Sequence, residues 1–269
     1  MLAIQADRRN DADAEIACAK LYCKDCLPME LSQQTLAKID DYWAAYLGCS
    51  KADLSQDKVR LIKHVDDYFG LFAFFRGGAP VVSLPDPCPE FVTEFLTRVS
   101  PSNLRLPDRF ASEISLCGTT VIGPTFIGYA DQGTLKSSSE PARLLTFDDR
   151  ASAAALQAAC SEIEWQHGGS PVGERPAFGV FLDDHLAALA GYEIWSEVIA
   201  HIYVISHPDY RGRGYARAAV AHLARHALAQ GLIPQYRTLT SNRASIRLAE
   251  SLGFWPVATS VAARFHSSG

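Results

Sequence analysis

The chain has 269 residues, 48% of them hydrophobic and 20% charged. That length is comfortable for two domains, and the composition supports a sizeable core and excludes global disorder. A net charge of −5 offers no bulk attraction for nucleic acid or an anionic membrane, so any anionic ligand has to be gripped locally.

The start, MLAIQADRRN, has too short an apolar run for a signal peptide, and no window approaches ~18 uninterrupted apolar residues. No membrane span is expected. Seven cysteines, an odd number without an export signal, read as reduced thiols of a cytoplasmic protein. Cys18, Cys23 and Cys26 have C-x4-C-x2-C spacing, but EIACAKLYCKDC looks helical and lacks the glycines of a cluster-wrapping loop. No metal is expected. Ser32 caps a helix carrying Leu36, Ile39, Trp43, Tyr46 and Leu47, with Gly48 as its stop. FGLFAFFR, Gly77-Gly78 and APVVSL read as a hairpin, PEFVTEFLTRV as a helix, and TTVIGPTFIGYA as one or two strands. The aromatics of this half, Trp43, Tyr46, Phe69, Phe72, Phe74 and Phe75, are read as core. The stretch 130–143, ADQGTLKSSSEPAR, has linker composition. The expected domains are residues 1–135, a smaller α+β unit of unknown role, and residues 142–269.

The second half is more regular. ARLLTF is a strand, and Asp148 or Asp149 caps a helix with Leu156, Cys160 and Ile163 on one face. AFGVFLDD and HLAALAGYEIW form a hairpin around Asp183-Asp184, followed by a β-branched strand, VIAHIYVIS. YARAAVAHLARHALAQG is a helix stopped by Gly231; PQYRTLT, NRASIRLAESLG and VATSVAARF complete the order β-α-β-β-β-α-β-α-β.

Between the third of these strands and the following helix lies SHPDYRGRGYARAAV, residues 206–220. Glycines let a helix start approach a ligand closely, its unpaired N–H groups and positive dipole end attract anions, and arginines add charge-assisted bonds. The dinucleotide pattern fails, because Arg217 stands at the third glycine and no acidic residue is suitably placed; the Walker pattern is absent. A plain basic turn is the alternative.

Arg211-x-x-Gly214-x-Ala216 matches the pattern [QR]-x-x-G-x-[GA], and NRASIRLAESLGF follows at the right distance. With these motifs and the element order, residues 142–265 resemble the GNAT superfamily of acyl-CoA N-acyltransferases. The Gly-Tyr after Arg213 and the preceding domain are similar to its glycine N-acyltransferase-like branch. The resemblance implies an α/β (α+β) fold: a GNAT-like mixed, mainly antiparallel sheet flanked by helices. It implies acetyl-CoA as donor, with Gly212, Arg213, Gly214, Tyr215, Ala216 and Arg217 offering backbone N–H groups to the diphosphate and Arg211 and Arg213 adding charge. Val204, Ile205 and Ser206 would pair with pantetheine. Asn242 would bond pantetheine or cap the last helix, and Ser245 would face the cofactor or simply pack.

The resemblance leaves the proton carriers open. Family positions for a base or an acid hold Ala200, Arg237 and Ala249. His201 adjoins Ala200 and has a suitable ordinary pKa, although strand parity opposes it. Glu164 beside Trp165 is the other catalytic candidate, with a pKa expected to be raised by desolvation. Glu162, His167, Tyr192 and Glu193 are weaker ones. The expectation is an N-acetyltransferase acting by direct attack of a primary amine of a small molecule or peptide. The alternatives are a non-catalytic acyl-CoA sensor and a nucleotide binder of another fold. No nucleic-acid partner is expected, and homodimerisation is left open.

Overall fold

A computed structural model of the chain describes residues 30–64 and 68–266. The Cys18, Cys23, Cys26 run lies outside the described residues. The first half runs α1 (Gln33–Leu47), β1 (Arg60–Lys63), β2 (Gly70–Phe75), β3 (Pro80–Leu84), α2 (Glu90–Arg98), α3 (Pro101–Leu104), α4 (Pro107–Ser115) and β4 (Thr120–Tyr129). The second runs β5 (Arg143–Leu144), α5 (Arg150–Ala159), α6 (Glu162–Gly168), β6 (Ala177–Leu182), β7 (His185–Trp195) and β8 (Ile199–Ser206). It ends with α7 (Tyr215–Ala229), β9 (Ile233–Leu239), α8 (Arg243–Ser251) and β10 (Trp255–Arg264).

All ten strands join one mixed sheet in the order β1-β3-β2-β10-β4-β9-β8-β7-β6-β5. Only β1/β3 and β8/β9 are parallel. The fold class is therefore the expected α+β with a mainly antiparallel sheet. The last strand, β10, sits between β2 and β4, both from the first half of the sequence. Contacts gather the described residues from Leu31 onward into one compact unit.

Local chemistry explains the elements. Ser32 Oγ accepts from Thr35 N at 3.1 Å to start α1, and Gly48, at φ 72°, closes it. Strand β2 is buried along its whole length because both faces are covered. Phe72 and Phe74 pack under Trp43 of α1, while Leu71, Ala73 and Phe75 pack with Phe95 and Phe110 of α2 and α4. Trp43 lies 4.3 Å from Phe74 between ring centroids and is 1% exposed; truncating such a residue to alanine costs about 3–5 kcal/mol. Helix α7 turns Ala218, Ala219, Val220, Leu223, Ala224 and Ala227 onto the sheet, and these small residues let it lie close against β7 and β8.

Several expectations change. TTVIGPTFIGYA is a single strand; a register shift opposite Gly123-Pro124 on β10 accommodates the proline. Helices α3 and α4, each opened by a proline, and the short edge strand β1 were not read from the sequence. Asp149 precedes α5, but its carboxylate makes no cap there. It turns back to Thr146 N (2.8 Å) and accepts two bonds from Arg143, at 2.8 and 2.6 Å. The linker-like stretch is tied down. Asp131 accepts from Ser32 N, Gly133 N and Thr134 N, Lys136 N donates to Leu252 O, and Arg217 donates to Ser137 O.

Candidate active site

The Arg-Gly turn has the backbone its composition suggests. Gly212 and Gly214 have φ of 76° and 88°, and a Cβ on either would meet nothing within 4 Å, so the space over them is open. Among the described residues, the N–H groups of Gly212 through Arg217 have no backbone or side-chain acceptor; the first amide in use is Ala218 N, bonded to Gly214 O at 3.0 Å. These are the orphan donors of the α7 start, aimed outward. The arginines divide the work. Arg211 pairs with Glu164 at 2.7 Å and donates to Ser206 O at 3.3 Å, Arg217 holds Ser137 O, and Arg213 lies 5.8 Å over the Tyr210 ring. Arg213 therefore keeps its charge available at the turn, while Arg211 ties the turn to α6.

Upstream, β8 pairs with β7 through Ser206 but with β9 only from Ile199↔Ile233 to Ile202↔Tyr236. Past that pair the two parallel strands part. Val204, Ile205 and Ser206 thus have an unpaired edge leading from the split to the Arg-Gly turn. Helix α6 backs this edge: Gly168 lies so close that a Cβ there would stand 2.4 Å from Val204 O. Across the split, Asn242 Oδ1 accepts from Ser245 N at 3.1 Å, which is the capping role, and Ser245 Oγ bonds Tyr236 OH at 2.9 Å. Tyr236, at the last paired position, had no sequence signal beyond its strand.

The two faces of β8 differ. Ala200 and Ile202 are buried in the cluster under α7. His201 points the other way, toward α1, where Trp195 stacks on it at 4.0 Å and Tyr203 meets it edge-on at 4.9 Å. Parity thus places His201, not position 200, beside the aromatic side of the split, without a bulge in β8. A thread of hydrogen bonds holds its ring. Trp43 Nε1 and Gln235 Nε2 both donate to Tyr129 OH (2.7 and 2.5 Å), and Gln235 Oε1 faces His201 Nδ1 at 3.0 Å. The amide oxygen makes Nδ1 the protonated nitrogen and leaves the lone pair on Nε2. Burial, reinforced by the Arg237 charge, lowers the His201 pKa to about 4. Beside it, Glu193 accepts from Tyr203 OH at 2.9 Å and pairs with Arg175 at 3.2 Å; the Tyr203 bond leads in holding its pKa down.

Glu164 corrects an expectation. Its pKa is lowered, first by hydrogen bonds from Ser161 N and Oγ and then by Arg211, despite some desolvation. It closes the capping box of α6 and anchors the Arg-Gly turn. Glu162 and His167 lie exposed on the same helix, and Tyr192 is buried on the α7 face, bonded to His226 at 3.2 Å. Of the first-half aromatics expected in the core, Trp43, Phe72, Phe74 and Phe75 are buried, whereas Tyr46 and Phe69 are exposed. Trp43 and Tyr46 line a cavity of about 410 Å³ with Tyr42, Trp195 and Arg237. Among the described residues no group of three or more His, Cys, Asp or Glu could hold a metal ion, and no helix is long and apolar enough to cross a membrane.

Residues 144–254 match the model of the Acetyltransferase (GNAT) family. The match to that family lies in this segment, which spans less than half of the chain. Among solved structures the chain is similar to a protein described as a GNAT-family acetyltransferase from Novosphingobium aromaticivorans, 29% identical over 54% of this chain and 66% of that one, at a TM-score of 0.43. It is also similar to a GCN5-related N-acetyltransferase from Kribbella flavida (18% identical, 57% and 62% covered, TM-score 0.42). A third is a GNAT-family acetyltransferase from Colwellia psychrerythraea (15% identical, 88% and 98% covered, TM-score 0.46). The chain matches less than two thirds of the length of the first two. No curated protein matches it.

The GNAT family implies an acyl-CoA donor. The chain's own atoms fit such a group: orphan amides over two uncrowded glycines suit a diphosphate, and the unpaired β8 edge suits an amide-bearing arm. The two alanines at positions where a proton carrier was expected, Ala200 and Ala249, are 0% exposed and sealed in the α7 cluster. No side chain at those positions could reach the split without repacking the core.

Proposed function

We propose that this protein is an N-acetyltransferase that moves the acetyl group of acetyl-CoA to a primary amine of a small molecule or peptide by direct attack in a ternary complex. The observation that carries this reading is the parting of β8 from β9 at Ile202↔Tyr236, with its open edge leading straight to the unpaired amides of Gly212–Arg217. When bound, the donor supplies an activated acyl thioester. Gly212, Arg213, Gly214, Tyr215, Ala216 and Arg217 bind its diphosphate, with charge from Arg213 and with Arg211 holding the turn in place. Val204, Ile205 and Ser206 orient its arm along the β8 edge, and Asn242 and Ser245 shape the far wall from the α8 start. The neutral His201 ring offers its Nε2 lone pair on the acceptor side as the proton acceptor, oriented by Gln235 and Tyr129. Residues 142–269 carry the reaction, and residues up to 135 cover the acceptor face through α1.

A sensor that binds acyl-CoA without turnover is the second reading, favoured by the sealed alanines at 200 and 249. Two measurements separate the cases. Acetyl-CoA at ~100 times its Kd should stabilise the fold by about 2.7 kcal/mol in a thermal-shift titration. Stabilisation by ATP or NAD instead of acetyl-CoA would end the acyl-CoA reading. Release of free CoA over a panel of amines supports the enzyme, whereas binding with no turnover on any amine supports the sensor.

A further inference from the structure

Arg237 is the first residue of β9 past its last pairing with β8. It stands at a position the family often gives to an acid, yet the surroundings here suit a cation with a task. Arg237 is partly buried beside the cavity: burial pushes its pKa below the ordinary arginine value, the hydroxyls of Tyr129, Tyr42, Tyr46 and Tyr203 act against that, and its guanidinium lies 5.8 Å over the Trp195 ring. Among the described residues its side chain makes one hydrogen bond, a long one to Ser260 Oγ at 3.4 Å. Arg76, Arg143, Arg175 and Arg211 face the carboxylates of Asp40, Asp149, Glu193 and Glu164. Arg237 faces none. A guanidinium desolvated without a counter-charge destabilises the fold that holds it, and a ligand anion removes that penalty.

The cavity beside Arg237, about 410 Å³, is mainly aromatic, with Tyr42, Trp43, Tyr46 and Trp195 as walls and Ile194 and Ser196 completing the lining. One cation among neutral rings suits a single negative charge joined to an apolar body. It does not suit a diphosphate, which needs several donors and charges. A carboxylate matches the planar fork of arginine with two parallel bonds. The cavity also exceeds what the smallest amino acid would fill. Arg237 places the cavity at the split between β8 and β9, and the wall residue Trp195 stacks on His201 at 4.0 Å, so one ring separates the cavity from that imidazole.

We propose that the cavity holds the acyl acceptor by its carboxylate on Arg237, with an apolar or aromatic side chain against Tyr42, Tyr46 and Trp195, so that the acceptor is a large apolar α-amino acid. The inference deepens the acetyltransferase reading and rests on it for the word acceptor. The α-amino group, two bonds from the carboxylate carbon, then faces the split. The ammonium gives one proton to His201 or water. Its nitrogen forms the new N–C bond as the thioester C–S bond breaks, and the second amine proton ends on the released thiol. A carboxylate at Arg237 also offsets the charge that holds His201 down, so acceptor binding makes His201 a better base.

The test titrates the full chain, with and without CoA, with L-phenylalanine, its methyl ester and phenethylamine. The readout is the fluorescence of the cavity tryptophans, Trp43 and Trp195. Phenylalanine should bind at least tenfold more tightly than either analogue, and Arg237→Met, checked for folding by circular dichroism, should lose that preference. The two analogue arms need no variant. Equal binding of all three, or no binding of phenylalanine while acetyl-CoA binds, overturns the carboxylate site and leaves the acetyltransferase reading standing. A carboxylate preference in a chain that does not bind acetyl-CoA upholds the site and removes the reading it was joined to.

Discussion

His201 shows how a single side chain is tuned by its neighbours. Burial first, and then the Arg237 charge, lower its pKa to about 4 against the opposing push of Gln235 and Glu193. In the unfolded chain it titrates near its ordinary value of about 6.5. Its contribution to stability is therefore complete above pH 6.5 and is lost as the pH falls toward 4, because only the unfolded state takes up the proton in that window. The loss is on the order of 2–3 kcal/mol. The urea midpoint of His201→Gln, followed against pH, should show a shallower fall over the same window. Replacing Arg237 by methionine should raise the His201 pKa, read from its ring proton shifts, since a lowering charge is removed. Gly214 is simpler. It sits at φ 88° with nothing near its Cβ, so Gly214→Val adds backbone strain and blocks the approach of a ligand without a clash in the core. Acetyl-CoA affinity should fall about tenfold or more by calorimetry, while the circular dichroism spectrum stays native. The open glycines were legible from residue types alone. The state of Arg237 was not, because a sequence cannot show that a cation faces no carboxylate.

Among the elements, α6 was missed along with α3, α4 and β1, and its signal was present. Ser161 and Glu164 stand at capping-box spacing, and the structure realises both bonds, from Glu164 N to Ser161 Oγ and from Ser161 N to Glu164 Oε2. Read as a helix tail, Glu164 looked like a carboxylate ready to desolvate; read as a cap, it is already committed. Helix α6 then meets β8 through Gly168. A methyl there would stand 2.4 Å from Val204 O and push the helix off the strand. Gly168→Ala should cost about 1–3 kcal/mol in a denaturation experiment and weaken acetyl-CoA binding as well, since the displaced helix carries the Glu164 anchor of the turn. The start of α5 depends on Asp149, which binds Arg143 through both oxygens and is held to a pKa of about 2 chiefly by those bonds. That stabilisation is present above about pH 4 and is lost on acidification toward pH 2. The α7 helix was legible because its alanine face repeats at helical spacing over four turns; the three-residue entry to α5 is too short for any period to show.

At the scale of the molecule, the decisive fact is that β10 lies between β2 and β4. A chain reduced to residues 142–269 would leave both edges of β10 and one edge of β9 without partners. Such a fragment should aggregate or melt far below the full chain in a scattering-monitored thermal ramp, because exposed strand edges template association. A soluble, cooperatively folded fragment would show that the shared sheet is not needed. The hydrogen-bond thread from Trp43 through Tyr129 and Gln235 to His201 crosses the same boundary, so the first half of the chain orients a side chain of the second. By itself the sequence determined the local grammar: strand and helix periods, the hairpin at Asp183-Asp184, and a glycine-arginine turn suited to a diphosphate. These depend on neighbours within a few residues, where spacing and backbone freedom are read directly. Only the tertiary structure decided which face His201 occupies, which arginines are already paired, and that aromatics of α1 wall a cavity at Arg237. Those properties join residues from a few positions apart, as in Arg143–Asp149, to opposite halves of the chain, as in Tyr42 and Arg237, and charge compensation and burial exist only once the fold has brought them together.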